Sequence, residues 1–283
     1  MINIVKKIRS LVQKDKQLKF GLYGILLFLL LVIFAPFIAT HNPYLFGPDI
    51  LNSLFENNHI LGTNNLGQDI FSMIIYGART SLMVAVISAL ISGILGVFIG
   101  GISGYFGGAF DQVISEIINI FMMLPTFFLI LLIIALFGNS IANVMIVIGL
   151  TTWPSNAKLM RSQALSLRER TFVKGAIAMG ETKSQILLKY IIPNGIFPVI
   201  ANTTVGMSNA ILTEAGLSFL GLGDPNVISW GQMIQAGKAY ITSAWWITTF
   251  PGIAIVITVT LFYLLGDGLN HILNPKHGTI TGG

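Results

Sequence analysis

The chain has 283 residues, a mean hydropathy of +0.79, 54% hydrophobic residues and only 10% charged ones; a water-soluble globular domain carries roughly 25% charged residues, so this composition belongs to an integral membrane protein. The net charge of +5 does not point to nucleic acid: apart from Arg79 and Lys238, the basic residues gather before the first apolar run, between 158 and 189, and at Lys276, the pattern that orients a chain with its basic segments in the cytosol. There is no cysteine, which excludes disulfides, thiolate catalysis and cysteine metal sites.

A basic tail at 1–19 precedes an apolar run at 20–39. The order of basic, apolar and small residues is that of a secretory signal, but the run is long enough to cross ~30 Å of hydrocarbon at about 1.5 Å per residue, so it reads as an uncleaved first helix. Six segments reach spanning length, near 20–40, 81–104, 115–137, 139–157, 196–217 and 245–266. The transmembrane domain is therefore expected over 20–266. An even number of spans places both termini, 1–19 and 267–283, on the cytosolic side. The loop at 41–80 and the segment at 221–244 then lie outside, and the loop at 158–195 faces the cytosol. His41 and His59 fall in the outer loop; with no third ligand at helical or loop spacing, they read as surface histidines.

In the second span Ser88, Ser92, Gly96, Gly100 and Gly104 repeat every fourth position. Such a stripe forms a groove that lets another helix backbone approach closely, within the subunit or between subunits. Asp111 and Glu116 flank the start of the third span, and Pro125 inside it should kink the helix by removing one backbone hydrogen bond.

The polar stretch at 170–194 interrupts the apolar pattern and reads as two short helices. Phe172, Ala176 and Met179 recur at helical spacing as one apolar face, Gly180 sits where a glycine cap ends a helix, Thr182 can cap the next one, and Pro193 should break it. Gly175 and Gly180 have the spacing of a phosphate-binding loop, but Glu181 stands where such a loop needs lysine, so no nucleotide site is expected. In the fifth span Asn202, Gly206, Asn209 and Thr213 form a polar stripe with Glu214 beside it; pore lining and interhelical hydrogen bonding both account for it. Trp230, Trp245 and Trp246 suit an outer interfacial belt.

Four stretches carry a family resemblance. The run from Lys174, Gly175 and Ala176 through Gly180 to Ile191, Ile192 and Pro193 resembles the cytoplasmic coupling loop of ABC-importer permeases, written E-A-A-x-x-x-G, nine variable residues, I-x-L-P, with lysine at the glutamate position. HILGTNNLGQDIFSMIIYGARTSL at 59–82, TEAGLSFLGLGDPNVISWGQMI at 213–234, and the closing Gly266-Asp267-Gly268-Leu269 with Asn274-Pro275 resemble stretches of the dipeptide, oligopeptide and nickel permease branch. The resemblance implies an all-α, six-helix transmembrane domain of a type I ABC importer with a cytoplasmic coupling-helix loop, in a bacterial cytoplasmic membrane. It implies a homologous second permease subunit, two ABC ATPase subunits carrying ATP and Mg²⁺, and an extracytoplasmic substrate-binding protein. This chain itself would hold no cofactor and catalyse nothing, and its cargo would be peptides or nickel and metal-chelate complexes. The rival reading is a self-contained secondary transporter or channel using Glu214.

Overall fold

The computed structural model describes residues 15–273; within them the chain is helices and loops, with two isolated β-bridges at Glu56–His59 and Thr63–Asp69. The Asp15 side chain accepts the Leu18 N–H at 3.0 Å and so starts α1, Lys16–Ile33. A single turn, α2 (Ala35–Ile38), comes next with a proline in its first positions, where no N–H is needed.

The longest uninterrupted α-helix, α3 (Ile70–Phe106, 37 residues), is capped by Asp69, which accepts the Ser72 N–H at 2.9 Å. At about 1.5 Å per residue it outruns a ~30 Å hydrocarbon layer, so it begins inside the segment expected to be loop. Gly107, at φ 69°, ends it.

The expected third span is not one kinked helix. The chain forms α4 (Gly108–Met123) and α5 (Thr126–Phe137), bent by 86° at Leu124–Pro125. Leu124 is extended (ψ 134°), the conformation that a following proline imposes, so the helix stops and restarts.

The fourth, α6 (Ile141–Arg168), runs well past the expected end at 157. Among the described residues four helices are long and apolar enough to cross a membrane, five if α4 and α5 count as one bent span. The expected count of six is not reached because α6 is apolar only in its first half; from Thr151 it carries Thr, Asn, Lys and Arg.

Helix α7 (Thr171–Ala178) ends in a Schellman turn: the Glu181 N–H donates to the Ala176 carbonyl at 3.1 Å and the Gly180 N–H to Ile177 at 3.0 Å, with Gly180 at φ 81°. Thr182 opens α8 (Lys183–Ile186) with a capping box shared with Gln185. Pro193 does not break the helical path. A π-turn at Leu187–Ile191, in which the Ile192 N–H reaches back to Leu187, shifts the hydrogen-bond register just before the proline and leads into α9 (Ile192–Phe219). Asn194 Nδ2 donates to the Tyr190 carbonyl at 2.7 Å, satisfying one acceptor near the shifted turn. Lys183–Phe219 is thus one 37-residue helix. The short α10 (Trp230–Gly237) and the long α11 (Trp246–Leu273) are the last two α-helices of the described residues.

Helix α3 lies along α6 and α9, and α11 packs on α9 and α1. The small-residue stripe of α3 meets α6 of the same chain: a Cβ added at Gly96, Gly100 or Gly104 would fall 2.3 Å from Asn156 Cβ, 2.2 Å from the Ala157 carbonyl oxygen and 2.5 Å from that of Arg161. Ser88 Oγ donates to the Met145 carbonyl at 2.9 Å. Two tryptophans expected in an interfacial belt are core residues instead. Trp230 and Trp246 are buried, their indole N–H groups held by the carbonyls of Ile74 (3.0 Å) and Thr63 (3.1 Å), and Trp245 alone of the three is exposed.

Candidate translocation and coupling sites

At the level where α6 loses its apolar character, a partly open cavity of about 350 Å³ lies between α3, the α4–α5 bend, α6 and α9. Its polar lining includes Ser88, Ser92, Thr151, Asn156, Asn202 and Asn209, and among the described residues no Asp, Glu, Lys, Arg or His borders it. Asn156, buried, is the centre: its Nδ2 donates to Ser92 Oγ at 3.0 Å, and its Oδ1 accepts from Asn202 Nδ2 at 2.8 Å. This network joins α3, α6 and α9 without a charge. Gly206 borders the cavity, and a Cβ built on it meets nothing within 4 Å.

The polar stripe of α9 therefore divides. Asn202, Gly206 and Asn209 face the cavity, whereas Thr213 and Glu214 are not among its lining residues. Thr213 Oγ1 donates to the Asn209 carbonyl of its own helix at 2.7 Å. Glu214 is buried against the segment leading into α10: its Oε1 accepts from Ser218 Oγ at 2.8 Å and Ser229 Oγ at 2.7 Å, while Oε2 has no partner. Replacing Glu214 with leucine strands two buried hydroxyls, and each lost partner costs ~1–3 kcal/mol. Thermal denaturation in detergent should show a clear loss of stability for Glu214→Leu, and a smaller one for Glu214→Gln, which keeps an acceptor oxygen.

Asn156 and Thr151 were not among the expected pore residues, because apolarity alone ends the fourth span at 157 and gives its polar positions no role. The signal was present as Thr151, Thr152, Ser155 and Asn156 around Pro154 in an otherwise apolar stretch.

At the far end of α3 a second network fixes the corner from which α7 projects. Asp111, in the first turn of α4, receives Arg161 of α6 bidentately, Nε to Oδ1 at 2.6 Å and Nη2 to Oδ2 at 2.7 Å, and Ser103 Oγ at 2.5 Å. Arg168 Nη1 donates to the Gly104 carbonyl at 3.3 Å. The partnership of Asp111 with Arg161 spans fifty positions of sequence and had no local signature. Asp111→Ala leaves a partly buried guanidinium unpaired, and should lower stability by ~2 kcal/mol, less than a fully buried pair because Arg161 keeps some solvent contact; a thermal unfolding comparison with Glu116→Ala checks it.

The coupling stretch is arranged differently from the expected single face. Val173 and Ala176 turn inward, fully buried in a cluster with Met160, Ala164, Ile186 and Ile191. Phe172, Gly175 and Met179 point away, at i, i+3, i+7. Met179 is 74% exposed and Phe172 44%, and Gly175 has open space around it. Ala176 thus belongs to the seat of the helix and not to its outer face. Lys174 Nζ lies 3.3 Å from Glu169 of its own chain, an exposed pair of small energetic weight. Pro193 sits in the long helix behind, outside this face.

In the loop before α3, His59 is buried with its Nδ1 2.8 Å from Asp69 Oδ1, and the His41 ring stacks on it with centroids 4.4 Å apart. The expectation of two independent surface histidines fails because Asp69, the cap of α3, brings both rings to one carboxylate. Burial alone would raise the Asp69 carboxyl, but hydrogen bonds from Ser72, His59 and Thr40 outweigh it and hold the group below the usual carboxylate range.

An all-helical bundle with an uncharged cavity carrying polar groups between its long helices and a short helix presenting an apolar face at one end has the architecture of the permease of a type I ABC importer. Residues 92–278 match the family described as binding-protein-dependent transport system inner membrane component, and the chain belongs to that family. It is 39% identical over 271 residues, covering 93% of this chain and 90% of the relative, to the dipeptide transport system permease protein DppC of Escherichia coli K12. It is 37% identical over 265 residues, covering 93% and 87%, to the protein of the same description from Alkalihalophilus pseudofirmus. Among solved structures, an inward-facing form of the MetNI methionine ABC transporter has the same fold, with a TM-score of 0.56 at 17% identity, covering 71% of this chain and 96% of that one.

Proposed function

We propose that this chain forms half of the translocation pathway of an ATP-driven importer of small peptides, pairing with a homologous permease and coupling two ATPase subunits to alternating access. The observation that carries the reading is the cavity lining. Amides and hydroxyls can exchange hydrogen bonds with a peptide backbone one at a time, so cargo is solvated without being trapped, and among the described residues the lining offers a bare nickel ion, which favours imidazole and other nitrogen donors, no histidine and no carboxylate. The dipeptide permeases among its relatives support the same cargo class. A secondary transporter driven through Glu214 fits less well, since that carboxylate is bound to two serines away from the cavity.

ATP and Mg²⁺ would act on the partner subunits, and this chain would supply a stiff lever. Helix α7 is seated by Val173 and Ala176 on α6, α8 and the π-turn that continues into α9, and α6 is locked to α3 and α4 through Arg161, so a push on α7 moves several spanning helices together. Cargo would arrive from an extracytoplasmic binding protein at the opposite end, near the 39–69 loop.

Gly206→Leu tests the pathway directly. With open space at its Cβ, the variant should fold as stably as the parent yet cut ATP-driven dipeptide uptake by reconstituted complex at least about tenfold, because the new side chain projects into the conduit. Uptake at parental rates would remove the cavity from the pathway. For orientation, a cysteine introduced at Asn57 should react with an impermeant thiol reagent added outside intact cells, and one at Thr182 should not; the reverse labelling would invert the topology.

A further inference from the structure

The His41, His59 and Asp69 group combines features that the transport reading does not use. Three separate pieces of backbone supply it: the turn after α2, the Glu56–His59 bridge and the cap of α3. Asp69 divides its oxygens between two tasks. Its Oδ2 accepts Ser72 N at 2.9 Å, Ser72 Oγ at 2.6 Å and Thr40 Oγ1 at 3.1 Å, which closes the cap and fixes the carboxylate plane. Its Oδ1 faces only imidazoles, His59 Nδ1 at 2.8 Å and His41 Nδ1 at 3.8 Å. One ligand atom from each residue lies within 4.8 Å of the other two.

A tetrahedral ion with bonds of about 2.0–2.1 Å needs donor atoms roughly 3.3 Å apart. The two separations to Asp69 Oδ1 bracket that value and the two histidine ligand atoms lie within 4.8 Å of each other, so His59 must recede from the carboxylate by a few tenths of an ångström while His41 moves toward both. His41 can do so, because its imidazole is 39% exposed and is held by one hydrogen bond, to Thr40 Oγ1 at 3.1 Å, besides its contact with the His59 ring. Two nitrogens and one carboxylate oxygen are the donor set of a borderline ion; Ca²⁺ and Mg²⁺ demand oxygen ligands.

We propose that His41, His59 and Asp69 bind a single divalent transition-metal ion such as Zn²⁺, through both Nδ1 atoms and Oδ1, with water on the open side of His41. The bound ion takes the place of the hydrogen bond between His59 and Asp69. It ties the 39–69 loop to the start of α3 and so stiffens that end of the bundle. This site is separate from the transport cavity and stands or falls independently of the cargo.

The test uses the purified full-length chain in detergent after chelation and desalting. Titration with Co²⁺ should give the absorption bands of a four-coordinate site at one ion per chain, and Zn²⁺ should displace them and raise the melting temperature. His41→Ala, at the exposed ligand, should leave the metal-free melting temperature unchanged, weaken Zn²⁺ binding at least about tenfold and abolish the Zn²⁺-dependent rise. His271→Ala, which removes a histidine beside Asp15 and Asp267, should alter none of these. Binding and melting shifts that survive His41→Ala, or Co²⁺ spectra of a purely aqueous ion, would overturn the site.

Discussion

Gly100→Leu should be among the most damaging single substitutions in this chain. Even the first added carbon would lie 2.2 Å from the Ala157 carbonyl oxygen, a backbone atom that cannot rotate aside. Helices α3 and α6 must then separate along their whole line of contact, opening the Asn156 network on one side and straining the Arg161 pair on the other. Overpacking alone costs ~1–3 kcal/mol, and the lost hydrogen bonds add to it. The expected result is little folded protein in the membrane and a large fall in melting temperature for what remains. Gly206→Leu is the matched control, since it adds the same side chain to the same helical bundle at an open position.

The second large effect should come from the outward face of α7. Phe172→Asp and Met179→Asp each place a charge where an apolar anchor is expected to enter a groove of an ATPase subunit. Helix-in-groove docking draws its affinity from such anchors, and an unpaired charge in a desolvated contact costs several kcal/mol. Together the two substitutions should weaken ATPase association at least about 100-fold and stop ATP-driven uptake. The isolated chain should melt at its usual temperature, because neither side chain belongs to the fold's interior. Ala176→Asp cannot serve this purpose. Ala176 is buried in the chain's own core, so its failure would report misfolding and not uncoupling.

These two predictions show where sequence was sufficient. Period-four spacing in α3 marked a close helix contact without naming its partner, and only the added-Cβ distances assign that partner to α6. In α7 the i, i+4, i+7 pattern identified a helix and its glycine stop, and the Schellman turn at Gly180 is the physical form of that stop. The pattern set Ala176 on one face with Phe172 and Met179 because an eight-residue helix between two partners has two apolar sides, and period alone does not distinguish the one seated on the protein from the one left open. Pro125 and Pro193 illustrate a similar limit. Both remove a backbone donor, yet one ends a helix at an extended Leu124 and the other is absorbed by a π-turn whose shifted register leaves room for the ring. The Asn156 network and the Asp111–Arg161 pair join residues remote in sequence, so no local window contains them.

The central claim, that this chain is the permease half of an ATP-driven importer with α7 as its contact to the motor, is tested most directly by site-specific cross-linking. The chain has no native cysteine, so Met179→Cys carries a single thiol at the tip of α7. In complex purified from membranes, a short bifunctional thiol-to-amine reagent should join that residue to the nucleotide-hydrolysing subunit, with a yield that changes between nucleotide-free and ATP-bound, hydrolysis-arrested states. A cysteine at Asn57, at the opposite end of α3, should give no such product. Cross-linking of Met179→Cys that captures no ATP-hydrolysing subunit, under conditions where the same complex imports peptide on addition of ATP, would contradict the account.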